Sequence, residues 1–342
     1  MQRKLLALLI GATLSFHASA QDKPGVTIYA TGGTIAGASK SNTDTTGYQP
    51  GALGVEVLIN AVPEMKEVAT ISGEQIANVG SFDMNTEVLL KLAKSINRKL
   101  AENGTAGVVI THGTDTTEET AFFLDLTVAS PKPVVVVGAM RPATAISADG
   151  PMNLLEAVTL AASPQARNRG AMVVLNDRIA SGFYITKTNS LMIDTFKSAE
   201  QGYLGAFVGG APKFYFEPAR PVGKPAFDVT RLDKLPKVAV LYTHQESDID
   251  LLDAAVKGGA KGLVIAGVGN GNVPTAVKAK IKELSAAGIP VVISTRTGSG
   301  YVTAKTDGIG AGIYNPQKAR ILLQLALAQG ADLARIRGYF GS

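Results

Sequence analysis

Val26-Thr27-Ile28-Tyr29-Ala30-Thr31-Gly32-Gly33-Thr34-Ile35-Ala36-Gly37 is a β-branched run that empties into two glycines and presents a hydroxyl just beyond them. Adjacent glycines let the backbone turn sharply and leave its N–H groups uncovered by side chains. A hydroxyl flanked by bare backbone donors suits acyl transfer, where charge developing on an attacked carbonyl needs preorganised N–H groups beside it. Thr34 is therefore the first candidate nucleophile. A dinucleotide loop is excluded because the glycine spacing is not GxGxxG, and a Walker A loop because Ala38-Ser39 stands where Lys-Ser/Thr is required. A plain strand-to-turn connection would use the same residues.

Outward from this stretch, short apolar runs alternate with helix-period segments. Strands are predicted at Val26–Ala30, Gly107–Ile110, Pro133–Val137 and Ala171–Leu175, then at Val238–Tyr242, Gly262–Val268 and Pro290–Ser294. That grammar predicts an α/β fold: a larger N-terminal, mainly parallel sheet flanked by helices, and a smaller C-terminal α/β domain. Leu89, Leu92, Ala93, Ile96 and Leu100 mark a helix between Thr86 and Asn103, with Gly104 at its stop. Ile179 to Phe216 is extended and glycine-punctuated, as hairpins are. Glu217 to Pro236 carries prolines and no period, so the domains are placed at 21–220 and 237–342 with a linker at 221–236. A final helix is signalled by Asn315 as cap, Pro316 at its first position and Gly330 beyond its end.

Arg3 and Lys4, an apolar run from Leu5 to about Phe16, and Ala18-Ser19-Ala20 make a cleavable secretory leader over residues 1–20, with cleavage after Ala20 and a periplasmic destination. The apolar run is about a dozen residues against the ~20 that a membrane-spanning helix requires, so no membrane anchor is expected. Loss of Arg3 and Lys4 with the leader takes the formal charge from +5 to +3, and no dense basic run remains. Nucleic-acid binding has no electrostatic basis. Cysteine is absent, which excludes disulfides and thiolate chemistry, and the three histidines lack metal-ligand spacing, so no metal is expected.

A second threonine follows the strand at 107–110, in Thr111-His112-Gly113-Thr114-Asp115-Thr116-Thr117-Glu118-Glu119-Thr120. Thr116 to Glu119 satisfies a capping box, and Asp115 could serve as a helix cap. Alternatively, Thr114 and Asp115 project from the carboxyl edge of the sheet, where open α/β sheets bind ligands, and Asp115 takes a substrate ammonium. Lys187, in Ile185-Thr186-Lys187-Thr188-Asn189, reads on general grounds as a solvated hairpin lysine. It serves as a base only where its surroundings favour the neutral amine; beside Asp115 it would instead orient Thr114 and stabilise negative charge. Sequence leaves both roles open.

These motifs together carry a resemblance. Ala30-Thr31-Gly32-Gly33-Thr34-Ile35-Ala36-Gly37 with Thr111-His112-Gly113-Thr114-Asp115-Thr116 resembles the signature pair of bacterial type II L-asparaginases. Gly138-Ala139-Met140-Arg141-Pro142, Ser147 to Leu154, Thr186-Lys187-Thr188-Asn189, Gly267 to Asn272 and Asn315 to Arg320 extend it over nearly the whole mature chain. The resemblance implies hydrolysis of the side-chain amide of L-asparagine to L-aspartate and ammonia through an acyl-enzyme on Thr34, with secondary activity on L-glutamine and no cofactor. It implies that Tyr48, on a loop that closes over the site, assists Thr34, and that Thr114, Asp115 and Lys187 form a second catalytic group. Ser81 and Asp115 would hold the substrate's α-groups, and Asn272 would reach the site from a neighbouring subunit of a homotetramer built from two tight dimers. A preferential glutaminase-asparaginase is the near alternative, and a periplasmic amino-acid-binding protein the one from another class. Two departures stand out. Phe82 occupies a position where type II members often show glutamine, and the segment 296–307 lacks a glutamate that many members supply across the subunit boundary; Asp307 is a shorter substitute.

Overall fold

A computed structural model describes residues 23–341; the leader expected at residues 1–20 lies outside them. Strands β1 (Gly25–Gly32), β2 (Thr70–Val79), β3 (Thr105–Thr111), β4 (Val134–Val137) and β5 (Ala171–Leu175) run parallel, and β6 (Arg178–Ser181), β9 (Gly205–Val208) and β10 (Ala211–Phe214) close one edge antiparallel. Their order is β10-β9-β6-β5-β4-β3-β1-β2. A separate two-stranded ladder joins β7 (Thr186–Lys187) to β8 (Phe196–Lys197). No helix or strand interrupts the stretch between Phe214 and Val238. A second, all-parallel sheet then follows in the order β11 (Val238–Tyr242), β12 (Gly262–Gly267), β13 (Val291–Thr295) and β14 (Ile309–Gly310). The predicted α/β architecture, with a larger and a smaller sheet, is the one observed.

Alternation along the central strands explains why both sheet faces are covered. Val108 and Ile110 enter one core with Val134, Val136 and Val173, while Val109 enters the opposite core with Val135, Val137, Met172 and Val174. One face is covered by α3 (Thr86–Ala101) and α4 (Thr117–Thr127), and the other by α1 (Val55–Ala61), α2 (Met65–Val68) and α5 (Gly150–Ala162). Helices α6 (Asp250–Lys257) and α7 (Thr275–Ala286) cover one side of the small sheet, and α8 (Pro316–Ala328) the other. Helix α4 is buried almost all round because α8 lies against its outer side, so Phe122, Phe183, Tyr314 and Leu322 belong to one continuous core.

Local signals explain the element ends. The Asn315 side chain accepts from Lys318 N–H at 3.0 Å, with Pro316 at the first helical position. Gly104 and Gly330, with φ of 85° and 67°, turn the chain out of helices where a side chain would be strained. β2 and α9 are among the elements that the sequence pattern does not predict. β2 is polar along most of its length because it is the edge strand, with one face in solvent. A short helix, α9 (Leu333–Tyr339), follows Gly330, capped by Asp332 accepting from Arg335 N–H at 2.8 Å. Among the described residues no helix is long and apolar enough to cross a membrane.

Candidate functional site

β2, β1 and β3 are neighbours and parallel, so their carboxyl ends open on the same edge of the sheet. Chain connections leave β1 toward β2 on one side and return to β3 on the other, which makes this edge the switch point where open sheets form crevices. Each strand ends the same way, with a glycine, then a hydroxyl residue that starts a one-turn 3-10 helix: Gly80-Ser81, Gly33-Thr34 and Gly113-Thr114. All three hydroxyl residues are buried. A Cβ on Gly33 would lie 2.2 Å from Gly113 Cα, and one on Gly113 would lie 2.7 Å from Ser81 Oγ. The glycines therefore let the ends of β1 and β3 touch backbone to backbone and make room for the Ser81 side chain beside them, which is what brings the two threonines to one place.

That finding corrects one expectation. The Gly33 N–H is not left open beside Thr34 but donates to Val79 O at 2.9 Å, because pairing with β2 continues past the register shift at the end of β1. The capping alternative, a box at Thr116 to Glu119 or Asp115 as cap, also gives way. No side chain caps α4 at Thr116; Thr116 Oγ1 donates to Ser81 O at 2.7 Å and Thr117 Oγ1 to Gly113 O at 2.9 Å. The first hydroxyl joins neighbouring strand ends, and the second closes the turn that leads from Gly113 into α4.

Tyr48 OH lies 2.7 Å from Thr34 Oγ1. Its loop is docked over the site rather than open. Ala38 and Gln49 exchange backbone hydrogen bonds, Gly51 N–H donates to Gly33 O at 3.0 Å, and Asp44 accepts from Thr46 and Gly47 N–H. Gly37 makes room for the tyrosine ring, since a Cβ there would meet Tyr48 Cδ2 at 2.8 Å.

Lys187 reaches the site from β7. Its Nζ donates to Thr114 Oγ1 at 3.1 Å and to Asp115 Oδ1 at 2.7 Å. The lysine side chain is 12% exposed and the aspartate 59%, so one end of the ion pair is enclosed and the other faces solvent. Because Lys187 donates to Thr114, the hydroxyl proton of Thr114 is free to point into the cleft.

Thr34, Tyr48, Thr114, Asp115 and Lys187 all line a cleft of about 970 Å³, with Thr45, Thr46, Met140, Arg141, the segment 188–194 and Lys197 forming its other walls. Sequence reasoning assigned nothing to Arg141 or Lys197. The signal for Lys197 was only its place opposite Thr186 in a two-residue ladder, which exists in the folded chain alone. Ser81 sits behind Gly113 rather than among the cleft walls. Asn272 does not border this cleft; it is exposed in the turn after β12, bonded through its backbone to Val268. Asp307 is engaged by Lys278 at 3.2 Å. Among the described residues no group of three or more His, Cys, Asp and Glu could hold a metal ion.

His112 packs beneath the second threonine. Nδ1 lies 2.7 Å from Gly113 O and Nε2 lies 2.8 Å from Thr120 Oγ1. A carbonyl can only accept, so Nδ1 carries the proton and Nε2 accepts from Thr120. Burial pushes this imidazole down to about 4. An unfolded histidine takes its proton near 6.5, so between pH 6.5 and pH 4 the unfolded chain gains a proton that the folded chain refuses. Stability is therefore full above about 6.5 and falls as pH drops toward 4, by roughly 3 kcal/mol from this group. In calorimetric scans across that window, His112→Gln is expected to flatten the decline of Tm. An unchanged slope would show that other groups set it.

Residues 25–220 match the family described as asparaginase, N-terminal, and residues 237–340 the glutaminase/asparaginase C-terminal domain. The chain is 53% identical over 328 residues to L-asparaginase 2 of Bacillus subtilis, covering 94% of this chain and 87% of the relative. It is 46% identical over 343 residues to a probable periplasmic L-asparaginase of Haemophilus influenzae, covering 98% and 97%. The crystal structure of a probable cytoplasmic L-asparaginase from Campylobacter jejuni superposes with a TM-score of 0.89 at 48% identity, covering 93% of this chain and 99% of that one.

Proposed function

The chain belongs to the asparaginase family, and from that premise we propose that it hydrolyses the side-chain amide of free L-asparagine to L-aspartate and ammonia, with an acyl-enzyme on Thr34. The observation that carries this reading is the 2.7 Å contact between the Thr34 and Tyr48 hydroxyls, in one cleft with a lysine-held second hydroxyl on Thr114. Thr34 Oγ1 attacks the amide carbon while its proton passes to the Tyr48 oxygen and the phenolic proton of Tyr48 moves on to the departing nitrogen, so that the C–N bond breaks and ammonia leaves with one added proton. Water then attacks the ester on Thr34, releases aspartate and returns the proton to the hydroxyl. Lys187, paired with Asp115, sets the Thr114 hydroxyl and opposes negative charge building up in the cleft. Asp115, on the cleft wall, takes the substrate's α-amino group; the α-carboxylate role that the resemblance gives Ser81 requires the substrate to reach past the cleft walls to the end of β2, where Ser81 is 4% exposed.

Ammonia release from L-asparagine at catalytic protein concentration tests the assignment; stoichiometric binding without turnover would instead indicate a binding protein. L-Glutamine is proposed as a slower substrate. One methylene in a pocket is worth about 1–3 kcal/mol, so parallel kcat/KM values on the two amides decide the preference. Phe82 stands 64% exposed at the strand end that carries Ser81, where a side-chain amide would offer polar contacts that a phenyl ring cannot.

We further propose export to the periplasm with removal of residues 1–20, and assembly as a homotetramer built from two tight dimers. Asn272, exposed and outside its own cleft, would then meet a neighbouring copy's cleft. Protein purified from the periplasm should begin at Gln21 and sediment at four times the chain mass. A mature N-terminus at Met1 sinks the export reading, and a stable, active monomer sinks the assembly.

A further inference from the structure

Lys187, though largely enclosed, has open space on two sides. On one side is the catalytic cleft and on the other a second cavity of about 330 Å³ bordered by Tyr184, Thr186, Thr297, Tyr314 and Asn315. The strand that carries it is two residues long and pairs only with another two-residue strand. Close packing and an extended ladder, the usual means of fixing a side chain, are thus both weak here.

Within its own domain the segment is tied at either end, by Tyr184 and Ile185 N–H donating to Ser181 O and by Thr188 N–H donating to Thr195 O; the anchors between them come from the small domain. Lys318, in the first turn of α8, sends its ammonium through the core to Phe183 O at 2.9 Å and Ile185 O at 2.6 Å. Asn315, the cap of the same helix, donates from Nδ2 to Thr186 Oγ1 at 3.2 Å while its Oδ1 caps the helix. Three anchors, on 183, 185 and 186, therefore end one residue before Lys187. Lys318 is 3% exposed, with its Nζ 5.8 Å from the Phe122 ring centre. Burial pulls its ammonium down to about 8, an effect opposed by the carboxylates of Glu118 and Asp125 on α4. A buried cation costs more than an apolar side chain of the same length, and a first helical turn disfavours positive charge. Fold stability alone therefore does not explain a lysine here, whereas two carbonyls held at fixed positions do.

We infer that Lys318, with Asn315, is a positioning residue for the reaction: it holds the Phe183–Thr186 backbone so that Lys187 Nζ stays on Thr114 and Asp115. The small domain thereby acts on the chemistry within the same chain. This rests on the proposed role of Lys187, and the test separates the two. In a double-mutant cycle of Lys318→Met and Lys187→Met, the first variant alone should lower kcat on L-asparagine by tenfold to a hundredfold with KM within twofold. In the Lys187→Met background, Lys318→Met should lower kcat by no more than twofold, since a residue acting through Lys187 has nothing left to position.

A folded Lys318→Met enzyme with kcat within twofold of wild type overturns the inference. So does the full loss persisting in the Lys187→Met background, which would place Lys318 in a general structural role. If Lys187→Met itself turns over like wild type, the catalytic assignment of Lys187 falls instead. Should Lys318→Met fail to accumulate as folded protein, Thr186→Val removes the Asn315 anchor and leaves the helix cap intact. A threefold or larger loss in kcat at unchanged KM is expected; an unchanged kcat overturns the inference.

Discussion

Thr34→Val should abolish turnover, by about a thousandfold or more in kcat, while L-asparagine binding stays within a few-fold of wild type. The two side chains are isosteric and Thr34 is buried at 6% exposure, so the substitution changes hydrogen bonding rather than packing volume. What disappears is the oxygen that would bond to the acyl carbon and its 2.7 Å contact with Tyr48. A thousandfold loss corresponds to about 4 kcal/mol of barrier, the scale on which loss of a nucleophile is felt. The lost hydrogen bond costs the fold only about 1 kcal/mol, because the partner hydroxyl borders an open cleft and water can satisfy it. Stopped-flow binding and ammonia release separate the two effects. Retention of more than a tenth of wild-type kcat would remove Thr34 from its role. An adduct trapped by acid quench and located by mass on another side chain would do the same.

Lys187→Met is the second large effect, with kcat expected to fall by about a hundredfold or more and the protein to remain folded. Methionine matches the length of the stem but donates nothing, so Thr114 loses its 3.1 Å donor and Asp115 its 2.7 Å partner. Asp115 is more than half exposed, and solvent takes over much of the lysine's contribution; the stability cost of breaking the pair is therefore about 1 kcal/mol or less. The catalytic cost has no such relief, since the lysine end is enclosed and, among the described residues, no other side chain is seen donating to Thr114 Oγ1. Circular dichroism with kcat and KM on the same sample decides the matter. Loss of folded protein, rather than a slow folded enzyme, would make the pair a structural salt bridge.

The parts of this site differ in how far they can be read from residues alone. Thr34 and Thr114 are legible because each follows a glycine at the end of an apolar run, a local pattern that specifies both the turn and its place on the sheet edge. Their mutual approach is less legible. It depends on Gly33 meeting Gly113 with no side chain between them, and the two glycines are far apart in the chain. Lys187 looks like an ordinary surface lysine until β7 folds it against the carboxyl end of β3. Lys318 is still less visible, since a lysine on a predicted amphipathic helix reads as solvated, and only the docking of α8 on α4 and the 183–187 segment encloses it. β2 was missed because an edge strand lacks the apolar alternation that periodicity detects.

By itself the sequence determined the α/β class, the strand-glycine-hydroxyl turns, the capped α8 and the absence of thiol chemistry, because each depends on residues within one turn or one strand of each other. Tertiary structure alone decided which hydroxyls share a cleft, which N–H groups are spent, and that a helix of the small domain anchors the lysine strand. Those outcomes depend on strand order and on helix docking, where contacts between distant residues, not local propensity, set position and burial.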